Sequence, residues 1–140
     1  MKRMIISGGS RGLGAALVDE YRRAGYEITE LSRSGRSGDS VQVDLAQPKA
    51  AQQILDDEFG RIAADPCEHV LLFNNAGDVM PVGQVAHKAV DTVLGNVNVN
   101  FVGAIVLIRA FMLAFQVKDL SLIHISEPTR PERIGGGGVW

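Results

Sequence analysis

Cysteine is all but absent from this chain. Cys67 stands alone, so no internal disulfide can form, and a cytoplasmic compartment is the expectation. Charge of either sign is not in excess: 14 Lys and Arg face 16 Asp and Glu, and the net charge of −2 offers no field for nucleic acid or an anionic membrane. The longest apolar run, residues 101–115, is interrupted by Arg109. It falls short of the roughly 20 residues that a membrane span needs, so a buried helix is expected there and no membrane partner. The apolar run after Lys2 and Arg3 is too short for a secretory leader and passes straight into glycines. His69 and His87 have no partners at metal-ligating spacing, and no metal is expected. What the chain does have is 46% hydrophobic and 21% charged residues, enough for the core of a single domain and unlike a disordered segment.

The patterning alternates short apolar runs with helical periodicity. Residues 4–7, 27–31, 41–44 and 69–74 read as strands. The run Val70-Leu71-Leu72-Phe73 is continuously apolar, as expected of a parallel strand covered on both faces. Helices are predicted over residues 13–24, where Gly25 is a natural stop, and from Pro48, a residue suited to a first helical turn. A loop over residues 75–85 leads to a long helix over residues 88–117, with a break near Gly95. Phe101, Ile105, Ile108, Phe111, Met112 and Phe115 form its apolar stripe. The order strand–helix–strand–strand–helix–strand–helix implies a doubly wound parallel α/β sheet of the Rossmann type, ending after the fourth strand and the long helix.

The octet Ser7-Gly8-Gly9-Ser10-Arg11-Gly12-Leu13-Gly14 lies between the first strand and the first helix. A glycine-rich turn there brings bare backbone N–H groups and the positive end of a helix against a phosphate. Glycine is needed both for the turn's dihedrals and for close approach of a ligand to the main chain. A dinucleotide is the expected ligand.

These residues resemble the short-chain dehydrogenase/reductase family. Its first motif, Thr-Gly-x-x-x-Gly-x-Gly, is matched by Ser7, Gly8, Gly12 and Gly14, with serine keeping the threonine hydroxyl. Its Asn-Asn-Ala-Gly motif is intact as Asn74-Asn75-Ala76-Gly77. The aspartate–aliphatic pair that contacts adenine corresponds to Asp44-Leu45, and the helix asparagine of the catalytic tetrad to Asn100. The resemblance covers residues 1–118 and is strongest to the branch of sepiapterin and benzil reductases. It implies reduction of a small carbonyl compound, a ketone or vicinal diketone, with a nicotinamide cofactor, and a homo-oligomer paired through the long helix. It also implies cofactor binding by Ser7, Gly8, Ser10, Arg11, Gly12, Leu13, Gly14, Arg33, Asp44, Leu45, Asn74, Asn75, Ala76 and Gly77. Asn100 would hold a water in the proton relay.

Cofactor choice follows from charge. An acidic residue at the end of the second strand would bind the ribose 2′-hydroxyl of NAD and repel a 2′-phosphate. Here Ser32-Arg33 stands at that point, Arg36 is close by, and Arg11 lies in the glycine turn. Guanidinium groups pair with phosphate, so NADP(H) is expected ahead of NAD(H).

The family's proton donor is a tyrosine with a lysine four residues on. Only Tyr21 and Tyr26 are present, and neither has that lysine. The chain is therefore expected to be inactive alone. From about Leu120 the sequence resembles a translated sequencing adapter, and Gly135 to Gly138 a translated guanine tract, so residues 119–140 are expected to be a non-native or disordered tail. Within that tail Ser121-Leu122-Ile123-His124-Ile125-Ser126 imitates the family's fifth strand and its catalytic serine. Pro128 and Pro131 come next without a tyrosine, and coincidence is the expectation. Two further functions are compatible with a glycine turn on a parallel sheet: a noncatalytic dinucleotide-binding or regulatory protein, and a methyltransferase, against which Asn74 to Gly77 argues.

Overall fold

The computed structural model describes residues 1–34, 38, 40–115 and, by backbone alone, 124–126. Five strands, β1 (Lys2–Ser7), β2 (Tyr26–Ser32), β3 (Ser40–Gln42), β4 (His69–Asn74) and β5 (His124–Ser126), form one parallel sheet in the order β3-β2-β1-β4-β5. Helix α1 (Gly12–Arg23) connects β1 to β2, and α2 (Pro48–Ala64) connects β3 to β4. After β4 the chain runs through a short turn (Val85–His87) into α3 (Val90–Val97), a π-helical turn (Asn98–Val102) and α4 (Gly103–Phe115).

Both faces of the sheet are covered, which is why β1 and β4 are apolar through their centres. Successive side chains of a strand point to opposite faces. From β1, Met4 and Ile6 join Val18, Ile28, Leu71 and Phe73 beneath α1. Ile5 points the other way, into a larger cluster with Leu55, Phe59, Leu72, Leu107 and Phe111 beneath α2 and α4. Phe59 and Phe111 meet edge to face at 6.1 Å, and Arg109 of α4 reaches Asp56 of α2 at 3.1 Å. At the amino-terminal end of the strands the Arg3 guanidinium is held by Glu27, Asp65 and the Ile62 carbonyl.

The register positions the site. Ser7 pairs with Leu31 on one side and with Asn74 on the other, so the glycine octet and Asn74 to Gly77 emerge side by side at the carboxyl ends of the strands. β1 is also where the chain order reverses across the sheet. Ligands of open α/β sheets bind at that switch point.

Three expectations are corrected. β3 ends at Gln42 rather than residue 44. The Asp44 side chain accepts the Ala46 N–H and its carbonyl accepts the Gln47 N–H, which turns the chain away from the sheet. The irregularity in the long helix falls at Asn98–Val102 and not at Gly95. Where α4 begins, a Cβ on Gly103 would lie 2.6 Å from the Leu45 carbonyl and 2.8 Å from the Asn98 carbonyl, so the close approach requires glycine. Of the predicted stripe, Phe111 and Phe115 are buried whereas Phe101, Ile105 and Met112 are exposed. A three-residue β5 also follows the long helix, within the segment whose sequence imitates a fifth strand. Leu72, Phe73 and Asn74 pair with His124, Ile125 and Ser126, because the open edge of β4 accepts any extended segment that reaches it. The rest of residues 119–140, and Arg36, lie outside the described residues.

Val90–Phe115 forms one helical stretch of 26 residues, long and apolar enough to cross a membrane by length and composition. This is longer than the run counted from the sequence, because the π turn keeps the helix continuous. One side of it packs into the core through Leu107, Ala110, Phe111 and Phe115.

Candidate functional site

Ser7 is the fixed point of the site. It is fully buried at the last position of β1. The hydroxyl accepts the N–H groups of Asn75 and Ala76, each at 3.1 Å, and donates to the Asn74 side-chain oxygen at 3.2 Å. One small hydroxyl thus ties together two motifs separated by 67 residues. The Asn75 side chain returns the contact, donating to the Gly8 carbonyl at 2.9 Å.

The glycines let the two loops touch. Gly8 has φ +71°, and a Cβ on it would stand 2.9 Å from the Ala76 Cα. Gly14 sits in the first turn of α1, where a Cβ would collide with the Gly8 carbonyl and lie 2.7 Å from the Asn75 side-chain nitrogen. Helix α1 therefore starts pressed against the end of β1. Arg11 occupies its N-cap position and makes no side-chain capping bond. The first N–H groups of the helix are left for a ligand, as every α-helix leaves them.

These elements enclose a cleft of about 300 Å³. It is walled by Gly8, Ser10, Arg11, Gly12 and Leu13 from the octet, by Arg33, Asp44 and Leu45 beyond β2 and β3, and by Asn75, Ala76 and Gly77 beyond β4. Of the sequence-predicted residues, Ser7, Asn74 and Gly14 stand behind the wall and hold it in shape. Asn100 is also outside the wall, bonded to Asp78: its side-chain oxygen accepts the Asp78 N–H at 2.9 Å and its amide donates to the Asp78 carbonyl at 2.6 Å. Ser32, singled out with Arg33 in the sequence, lines the cleft, and so do Leu31, Val43, Asp78 and Val99, which the predicted site residues do not include. Their signal is positional: Leu31, Ser32 and Val43 flank strand ends, and Asp78 follows Gly77 directly.

Charge is unevenly placed. Arg11 and Arg33 are exposed at the cleft and form no ion pair among the described residues. Ser32 ends β2 at the cleft, and the nearest acidic residue of that strand, Glu30, lies behind Gly9 with one oxygen buried and without a hydrogen-bond partner. Tyr21 and Tyr26 are remote, stacked edge to face at 5.1 Å against the core beneath α1, with Tyr21 also 5.2 Å from Phe73. No cluster of metal-ligating side chains occurs among the described residues.

A parallel sheet in this order, a glycine turn feeding α1 and a second loop bonded to it define a dinucleotide-type Rossmann domain. The chain is similar to oxidoreductases of the short-chain dehydrogenase/reductase family. It is 28% identical over 120 residues to a benzil reductase of Bacillus subtilis, which covers 82% of this chain and 49% of that protein. A crystal structure of a family member from Burkholderia vietnamiensis superposes with a TM-score of 0.76 at 29% identity, over 90% of this chain and 63% of the other. The fold is shared with a Brucella ovis oxidoreductase in complex with a partially ordered NAD (TM-score 0.70, 24% identity, 86% and 60% covered). It is shared too with a Burkholderia cenocepacia dehydrogenase in complex with NADP (TM-score 0.65, 23% identity, 80% and 50% covered). The chain spans about half the length of the curated relatives it matches. No protein-family profile matches it.

Proposed function

We propose that this chain is the dinucleotide-binding part of an NADP-dependent carbonyl reductase acting on a ketone or diketone. The observation that carries the reading is the cleft itself: an uncapped helix N-terminus beside Gly8, with two arginines on its rim that form no ion pair among the described residues and no carboxylate at the end of β2. The geometry fits the group, because the space in front of Gly12 is open and a pyrophosphate matches the N–H groups of the first turn. Gly8, Ser10, Gly12 and Leu13 would hold the pyrophosphate, Asp44 and Leu45 the adenine, and Arg11 and Arg33 the 2′-phosphate. The loop after β4 would border the nicotinamide, which supplies the hydride when bound. Asn100 would fix that loop and hold a water on the proton path. The only tyrosines are packed against the core, so neither stands in the place of the family's tyrosine acid, and the chain alone binds cofactor without turning it over. Residues 1–118 form the binding unit in this reading, and residues 119–140 are a non-native tail.

The location is cytoplasmic, and neither nucleic acid nor a membrane is a partner. A second copy covers the outer side of α3 and α4, where Leu94, Phe101 and Ile105 are exposed, an association read by sedimentation equilibrium.

The test is a titration followed by nicotinamide fluorescence. NADPH should bind more tightly than NADH by about 100-fold or more, the worth of two charge-assisted bonds at about 1.5–3 kcal/mol each. Added benzil should leave NADPH unoxidised. Tighter binding of NADH, or a response to S-adenosylmethionine alone, would refute the reading.

A further inference from the structure

With the cleft read as a dinucleotide site, we propose that Asn96 is a positioning residue for the nicotinamide half of the cofactor. Asn96 lies on α3, one turn before Asn100. Its side-chain amide donates to two carbonyls of the loop after β4, that of Asp78 and that of Met80, each at 2.6 Å. An amide nitrogen has two hydrogens, and both are used. The Asp78 carbonyl accepts from Asn96 and Asn100 together, and the Asp78 carboxylate accepts the Met80 N–H at 2.9 Å.

The loop has little else to hold it. Val79, Met80 and Val82 are 73%, 56% and 65% exposed, so hydrophobic packing does not order this stretch. Fixing a residue's backbone costs about 1–2 kcal/mol, which makes polar anchors decisive where apolar ones are missing. Asp78 lines the cleft on the β4 side of β1, whereas Arg33 and Asp44 line it on the β2 and β3 side. The arginines place the phosphorylated adenosine on the latter side. The loop that Asn96 holds therefore borders the other half of the dinucleotide. The same helix reaches the opposite loop through Asn98, whose amide donates to the Ala46 carbonyl at 3.1 Å. Residues two apart point to opposite sides of a helix, so this segment braces both walls, with Asn96 and Asn100 facing the nicotinamide side.

The experiment compares two ligands by calorimetry, NADPH and adenosine 2′,5′-bisphosphate, on the wild-type chain, Asn96→Ala and Asn96→Asp. The bisphosphate carries the adenosine end alone and reports whether the fold and that end are intact. Asn96→Ala should weaken NADPH about 10-fold, the worth of one to two hydrogen bonds, and leave the bisphosphate within about 2-fold. Asn96→Asp should weaken NADPH further, because a carboxylate oxygen would face two carbonyl oxygens. Unchanged NADPH affinity in both variants, or equal loss for both ligands, overturns the assignment. Wild-type chain that binds neither ligand overturns the dinucleotide reading itself, and this role with it.

Discussion

Gly14→Ala should cost the chain more than any other single methyl group in the octet. The added Cβ collides with the Gly8 carbonyl, which is backbone and cannot rotate away, and presses on the Asn75 side chain that bonds the same carbonyl. Relief requires α1 to move off the end of β1. Overpacking of this kind costs typically about 1–3 kcal/mol and more where backbone must shift, against about 5–15 kcal/mol for a whole domain. A fall in Tm of roughly 10 °C is expected from circular dichroism, since each kcal/mol is worth about 2–8 °C in domains of this size. Gly12→Ala is the control. Gly12 has φ +57°, yet nothing lies within 4 Å of its Cβ position. It should bear only the left-handed backbone penalty of about 1–2 kcal/mol, while crowding the cleft and weakening NADPH. Equal melting temperatures for the two variants would show that the junction between loop and helix is looser than described.

The second large effect is on cofactor choice. Replacing Arg11 and Arg33 together by alanine should raise the NADPH dissociation constant by about 100-fold or more, at about 1.5–3 kcal/mol for each charge-assisted contact, and leave NADH nearly unchanged. The two side chains are exposed and unpaired among the described residues, so their removal strands no buried charge and should leave Tm unaffected. A selective loss seen only for NADPH is what a 2′-phosphate contact demands. Equal loss for both nucleotides would move the arginines from the ribose to the pyrophosphate.

Much of the site is legible in the sequence because its residue types are forced by backbone contacts. Gly8 and Gly14 cannot carry a side chain where another main chain passes, and Ser7 must present a small hydroxyl to two N–H groups. Such constraints leave a fixed pattern in the chain. The doubly wound sheet is legible for a similar reason: Met4, Ile5 and Ile6 are consecutive and apolar, and all three can be buried only if both sides of the strand are covered. Other features depend on which neighbour is near, and a single sequence does not state that. The long helix is apolar nearly all round, so periodicity picks out a stripe from Phe101 to Phe115 of which Phe111 and Phe115 are buried and Phe101, Ile105 and Met112 exposed, while the core also takes Leu107 and Ala110. The π turn at Asn98–Val102 leads into Gly103, whose close approach to Leu45 joins residues far apart in the chain. Asn96 and Asn98 read as ordinary helix residues, because their meaning lies in the carbonyls of Asp78, Met80 and Ala46. The two prolines beyond Ser126 speak against a native strand at β5, yet the free edge of β4 pairs with backbone irrespective of side chains.

If main-chain amides at the start of α1 receive a dinucleotide in the cleft at the carboxyl ends of the strands, they must respond to it directly. Amide chemical-shift mapping of the labelled chain during NADPH titration reads this residue by residue. Saturable shifts are predicted at Gly8, at residues 10–14, at Arg33, at Asp44 and Leu45 and at residues 75–78, with Lys2, Asp65 and His69 at the opposite end of the sheet unmoved. Shifts that spare the octet, or that gather on the outer side of α3 and α4, would contradict it.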